Sequence, residues 1–280
     1  MRIGVHSSNL HLMLARAWPG AFASFNARFV HYGDGRETAK LLAESEIDFG
    51  GTGSTPPIAA EAAGLDVVYV AASAPRPANG GIFVRADSGI EDVAGLKGKR
   101  VALVDGSFHN YLLARSLDTA GLSLRDVESL ETDPADSLPA LLEGRVDAWV
   151  AMAPRLEKAS GRPDLHLVAR CGSIIPNRSL FWTLAGRELS AESRAGIAAE
   201  LARIGREVGA NPRLAAERLA ASEAGGADVE AWERVIRSRD FSVAAADGGV
   251  LSEQQEEADT LYRHAYLERP VRIARLQRSA

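Results

Sequence analysis

The sequence predicts an α/β fold made of two small doubly wound lobes and a helical carboxy-terminal part. Three observations lead there. Short apolar runs alternate with helical periodicity from Arg2 onward, and again from Gly80 onward. The run Val67-Val68-Tyr69-Val70 is apolar without alternation, which marks a strand covered on both faces. After about Glu188 the strand pattern stops and long helical segments take over.

In order, Arg2 to His6 is an apolar strand, and Asn9 to Ala17 a helix with Leu10, Leu14 and Ala17 at helical spacing. Trp18-Pro19-Gly20 ends that helix. Ala27 to Tyr32, Ile47 to Gly51 and Leu65 to Ala71 read as strands, with a helix over Arg36 to Ala43. Such βα repeats with short connections imply parallel sheets. The second series runs through strand Gly80 to Arg85, a short turn over Val93 to Lys99, strand Arg100 to Val104 and helix Ser107 to Ala120. Val127 to Leu130, Ser137 to Leu142, Asp147 to Ala151 and Leu165 to Arg170 continue it. Helices follow over Ser190 to Gly209, Pro212 to Ser222, Val229 to Ser238 and Ser252 to Leu267. Pro212 suits a first helical turn and Asn211 an N-cap.

Composition excludes several classes. Of 280 residues, 46% are hydrophobic and 25% charged, which is ordinary for a globular chain and not for a disordered one. No run approaches the roughly 18 to 20 apolar residues of a membrane span. A net charge of −5 offers no basic excess for nucleic acid. One cysteine leaves no disulfide framework and no multi-cysteine metal site, and no cofactor or metal motif is present. The opening Met1-Arg2-Ile3-Gly4-Val5-His6 lacks a basic region, an apolar core and a cleavage site, so it reads as cytoplasmic as written. It reads as periplasmic or otherwise extracytoplasmic if a leader has been removed.

Ligands of doubly wound sheets sit at the carboxyl ends of strands, beside helix starts. Four such loops follow the strands: His6-Ser7-Ser8-Asn9, Gly51-Thr52-Gly53-Ser54-Thr55-Pro56-Pro57, Asp105-Gly106-Ser107-Phe108-His109-Asn110, and Ala151-Met152-Ala153-Pro154-Arg155. Three are rich in hydroxyls or glycine and open a helix, which suits an anion. Ordinary N-capping is the structural alternative for each. The second loop lacks the Gly-Lys-Ser/Thr of a P-loop, and none matches a G-x-G-x-x-G fingerprint.

The run Ile47-Asp48-Phe49-Gly50-Gly51-Thr52-Gly53-Ser54-Thr55-Pro56-Pro57-Ile58-Ala59 resembles the signature of aliphatic-sulfonate and taurine binding proteins of ABC importers. The resemblance extends through Leu96 to Ala102, Gly106-Ser107, Tyr111-Leu112-Leu113, Gly144 to Val150, Ser252 to Gln255, Ala258-Asp259 and Arg269-Pro270-Val271. It implies the type II periplasmic-binding-protein fold, with a cleft that closes on a small ligand. Lobe 1 would then hold residues 1–78 and 184–280, and lobe 2 residues 79–183. It also implies a small sulfonate-like anion as ligand and an importer permease as partner. By position, the implied contacts are Ser7, Ser8, Thr52, Gly53, Ser54 and Thr55 from lobe 1. Ser107 and Asn110 would contribute from lobe 2, with Trp149 as an apolar wall. Phe108, His109 and Arg155 join the candidate ligand contacts from their places in the loops rather than from the resemblance. Four departures reshape or depolarise the cleft: Phe108 replaces a small polar residue, Asn110 a histidine, Ala153 an acidic residue and Met152 an aromatic one.

An intracellular enzyme on the same scaffold, such as a desulfinase-like lyase or a biosynthetic enzyme, is the competing reading. Its candidate groups are His6, His109 and Cys171. The first loop has only Ser7 and Ser8 where the desulfinase uses cysteine, so His6 or His109 would act as acid and base. For each histidine a structural role is the alternative, and for Cys171 a buried apolar role. Arg76 and Arg155 are further candidates to face a ligand charge, against the alternative of solvated surface arginines.

Overall fold

A computed structural model of the chain describes residues 1–153, 155–186, 189–222 and 228–273. The first four strands form as the apolar pattern demands. β1 (Arg2–His6) pairs in parallel with β2 (Arg28–Tyr32), and Ile3 bridges to Phe49 beside them. Between them lies α1 (Leu10–Ala17), whose N-cap is Asn9. A short turn capped by Asp34 leads into α2 (Thr38–Ala43). β3 is short, Gly50–Thr52, and opens directly toward α3 (Thr55–Ala62). β4 (Val67–Ser73) is buried along its whole length.

The second series builds a five-stranded sheet in the order β7-β6-β8-β5-β9. Its members are β5 (Gly80–Arg85), β6 (Arg100–Leu103), β7 (Glu128–Glu131), β8 (Ala148–Met152) and β9 (Leu165–Arg170). The helices α4 (Phe108–Asp118), α5 (Ser137–Leu142) and α6 (Arg155–Ser160) connect them. Pro154, in the loop before α6, lies outside the described residues.

The chain then returns through β10 (Leu180–Leu184), α7 (Ala191–Ala210), α8 (Pro212–Ala220), α9 (Val229–Arg237), β11 (Val243–Ala245) and α10 (Gly248–Arg263). β10 and β11 complete a second sheet in the order β11-β4-β10-β3.

The sheets are mixed rather than purely parallel. β6 runs parallel to β7 and β8, but β5 is antiparallel to β8 and β9, and β10 is antiparallel to β3 and β4. The physical reason is local. β5 and β10 are the first strands after the chain passes from one unit to the other, so they do not follow a crossover helix of their own sheet's βα series as β7 and β8 do. α10 starts four residues earlier than the sequence pattern indicates. The Asp247 carboxylate accepts the Val250 N–H, so this cap outweighs the helix-weakening Gly248-Gly249 pair. It ends at Arg263, because Ala265 turns left-handed at φ 56°.

Two compact units result. Unit 1 holds Met1–Pro75, Arg178–Gln255 and the stretch from Arg272. Unit 2 holds Arg76–Asn177 and Glu256–Val271. The core of unit 1 gathers Ile3, Val5, Leu12, Phe49 and Phe181 with the inner faces of α7, α8 and α9. That of unit 2 gathers Phe83, Ala102, Leu141, Trp149 and Leu156. Among the described residues, no helix is long and apolar enough to cross a membrane.

Candidate functional site

In unit 1 the pairing of β1 with β2 and the Ile3–Phe49 bridge bring the ends of β1 and β3 side by side. The loops that follow, His6 to Asn9 and Gly51 to Thr55, therefore meet. The His6 ring sits at their junction. Its Nδ1 accepts the Ser8 N–H at 3.4 Å, so the neutral ring carries its proton on Nε2, which donates to the Gly51 carbonyl at 3.1 Å. Burial pushes the His6 pKa down to about 4, so the ring is neutral at pH 7 and contributes a dipole rather than a charge.

Asn9 is the second element. It is 2% exposed, and its Oδ1 accepts the Leu12 N–H at 3.1 Å as the N-cap of α1. That geometry leaves Nδ2 buried with no hydrogen-bond partner. A Cβ built on Gly51 would lie 2.8 Å from this nitrogen, so glycine is what lets the amide approach the β3 end. The orphan donor is the signal a sequence reading focused on hydroxyls misses, because Asn9 there reads only as the residue that opens the helix. A buried N–H left unpaired costs about 1–3 kcal/mol, which an acceptor on a bound ligand would recover.

The hydroxyls divide into two groups. Ser7 and Ser8 are exposed, and Gly53 has open space where a side chain would project. Ser54 is 6% exposed and makes no side-chain cap at the start of α3. Thr55 is buried in the first turn. Thr52 is already engaged: its hydroxyl donates to the Gly53 carbonyl at 2.8 Å and accepts the Trp182 indole N–H at 3.0 Å. Pro56 and Pro57 remove two backbone donors from the first turn of α3. The Ser54 hydroxyl and the backbone around Gly53 thus stand at this helix start, with Thr55 buried beside them.

In unit 2 the loop after β6 is internally closed. The Ser107 hydroxyl donates to the Val104 carbonyl at 2.6 Å and accepts the His109 N–H at 3.2 Å. The Asn110 Oδ1 accepts the Ser107 N–H at 3.3 Å, and its Nδ2 donates to Asp105 at 2.9 Å. Together these form a capping box at the start of α4. Tyr266 ties the same loop down: its hydroxyl donates to Asp105 at 3.1 Å and accepts the Gly106 N–H at 3.0 Å. Nothing in the local sequence points to Tyr266, which lies far along the chain. His109 accepts the Val104 N–H on Nδ1 at 3.1 Å, which leaves Nε2–H buried and unpartnered. Burial lowers its pKa to about 3. The Phe108 ring packs edge-on against it, 4.7 Å between centroids.

The remaining candidates come from other elements, and Cys171 lies close to Phe108, since a Cβ on Gly80 would meet both. Trp149 is 3% exposed in the unit 2 core, its ring 6.1 Å from Phe83. Arg155 is half-buried at the first residue of α6. Arg76 is buried, with its guanidinium donating to the Asn177 backbone and side-chain oxygens, both at 2.8 Å. Cys171 is fully buried, and desolvation pushes its thiol pKa up to about 12, which keeps it protonated. Among the described residues, no group of three or more His, Cys, Asp or Glu is placed to hold a metal ion.

The fold and these loops are those of an α/β protein of two compact units whose strand ends carry neutral hydrogen-bond donors. The chain belongs to the NMT1/THI5-like family, whose model matches residues 25–167. It is 38% identical over 152 residues to an Escherichia coli (strain K12) protein provisionally named an aliphatic sulfonates-binding protein. That match covers 54% of this chain and 46% of the relative, so the chain spans about half the length of the curated relatives it matches. Among solved structures, it resembles the periplasmic aliphatic sulphonate binding protein SsuA of Escherichia coli, with a TM-score of 0.87 and 27% identity over 98% of this chain and 95% of that one. The alkanesulfonate-binding protein SsuA of Xanthomonas axonopodis pv. citri, bound to MOPS, gives a TM-score of 0.84 and 28% identity over 98% and 96%.

Proposed function

We propose that the chain binds a small organic sulfonate, or an oxyanion of the same shape, as the substrate-binding component of an ABC importer. The observation that carries this reading is the orphan Nδ2 of Asn9 at the start of α1, beside the helix start of α3. A sulfonate offers three acceptor oxygens and one delocalised charge. Helix N-termini, a buried amide and the Ser54 hydroxyl complement that charge without a counter-ion. His6 and His109 are neutral at pH 7, which accords with recognition by dipoles.

The same loop chemistry supports Ser7, Ser8, Gly53, Ser54, Thr55 and Asn9 as the ligand contacts of unit 1. In unit 2, the His109 Nε2–H is likewise buried and unpartnered. The likeness to periplasmic sulfonate-binding proteins supports a role outside the cytoplasmic membrane with an importer permease as partner.

The test is a thermal-shift and calorimetric series over methanesulfonate, longer alkanesulfonates, taurine and inorganic sulfate. Ligand that binds only the folded state raises the melting temperature. The expected result is a saturable shift with one or more organic sulfonates, lost in Asn9→Asp, which keeps the cap and adds a like charge. No shift with any of them at millimolar concentration overturns the reading.

A further inference from the structure

Unit 1 carries a cavity of about 320 Å³ along the carboxy-terminal half of α1. Its walls are the last turns of α1 and α8 and the end of β2. Arg16, Arg218 and His31 face it, over a floor of Met13, Ala17 and Ala221. We propose that this cavity is an anion site for a small phosphate- or carboxylate-bearing molecule with a short apolar part.

Three observations converge. First, two guanidiniums meet at one cavity, and among the described residues neither Arg16 nor Arg218 forms an ion pair with a carboxylate. Placing two guanidiniums at one cavity in a chain of net charge −5 costs repulsion that a bound anion relieves. Second, Arg218 is held in place. Its Nη1 donates to the Ala17 carbonyl at 2.9 Å, and its guanidinium carbon lies 5.3 Å from the Trp18 ring centre. Its Nε is buried and has no partner. Third, the cavity size is that of a small-molecule site, and its floor is apolar.

The carbonyl end of the α1 dipole opposes an anion here, but Arg218 already caps that end through Ala17. A fixed guanidinium recognises carboxylate and phosphate through paired donors, which favours these groups over a spherical anion. Ser222 donates its hydroxyl to the Leu219 carbonyl at 2.7 Å and so lends its oxygen rather than its proton to the rim.

The experiment titrates inorganic phosphate and, separately, succinate into the full chain, reading melting temperature and calorimetric affinity. Arg16 is exposed, so Arg16→Gln tests the site without disturbing the fold, and Arg218→Lys keeps the charge while removing the planar fork. At least one ion is expected to bind, about tenfold more weakly in either variant, and unchanged in Asn9→Asp. Two results overturn the proposal: no binding of either ion at millimolar concentration, or binding that survives Arg16→Gln. Loss in Asn9→Asp with retention in Arg16→Gln assigns the ion to the first site and likewise overturns it.

Discussion

The side-chain amide of Asn9 rests against Gly51, close enough that a Cβ on that glycine would stand 2.8 Å from Asn9 Nδ2. The same Cβ would meet the Phe181 ring at 2.8 Å and Leu12 at 3.0 Å, both fully buried. Gly51→Ala is therefore expected to cost about 1–3 kcal/mol of stability, because a packed core has no free volume to give. Urea denaturation measures this. Sulfonate affinity should fall in parallel as Asn9 is pushed off the β3 end. A variant of unchanged stability and affinity would show that the contact is slack.

Asn9 itself separates two roles. Asn9→Ala removes both the cap of α1 and the orphan donor, for about 1 kcal/mol of stability. Asn9→Ser keeps a capping oxygen and removes only the Nδ2 donor. If the amide contacts the ligand anion, both variants should weaken sulfonate binding about ten- to a hundredfold, since a hydrogen bond to a charged group contributes about 1.5–3 kcal/mol. Asn9→Ser with full affinity would make Asn9 a cap alone.

These two positions also mark how far the sequence is legible. The βα alternation and the fully apolar β4 are readable because burial on both faces leaves no alternation to misread. β10 and β11 escape a sequence reading. β10 is a five-residue run that a short helix would match equally well, and β11 has three residues with two exposed. At the site, the loops are legible as helix starts, but the function of each hydroxyl is not. Thr52 and Ser107 satisfy partners within their own units, and only coordinates show which donors are left over. Asn9 and Tyr266 act through contacts at long sequence separation with Gly51 and Asp105, which no spacing rule encodes.

Protonation of the buried histidines should set the acid limit of stability. His6 titrates at about 4 and His109 at about 3 in the folded chain, both lowered by burial from 6.5. Between these values and 6.5 the unfolded chain binds more protons than the folded one. Stability is then fully present above pH 6.5 and declines as pH falls through that window. The His6 contribution is on the order of 3 kcal/mol. His6→Gln retains a donor for the Gly51 carbonyl, and in it proton uptake on unfolding at pH 5 should drop by about one. Calorimetric unfolding in buffers of different ionisation enthalpy reads that number, and an unchanged uptake would mean that His6 is already charged when folded.

Cys171 should be inert in the native state. Its sulfur is fully enclosed and its thiol is held protonated by burial. Alkylation by iodoacetamide at neutral pH is expected to be slow in the folded chain and rapid in denaturant. Fast labelling of the folded chain would require the region around Cys171 to open without global unfolding.

Thr52 distinguishes a structural hydroxyl from a ligand-binding one. Its oxygen accepts the Trp182 N–H at 3.0 Å while its proton goes to the Gly53 carbonyl at 2.8 Å, and Trp182 is fully buried. Thr52→Val keeps the side-chain volume but strands the indole N–H without an acceptor. That should destabilise the chain by about 1–3 kcal/mol. Thr52→Ser restores the acceptor and should recover most of the loss. Because the hydroxyl is engaged on both sides, sulfonate affinity measured well below the melting transition should change less than about threefold in either variant, well short of the loss set by a charged hydrogen bond. A large affinity loss in Thr52→Val, with none in Thr52→Ser and no loss of stability, would instead place this hydroxyl on the ligand.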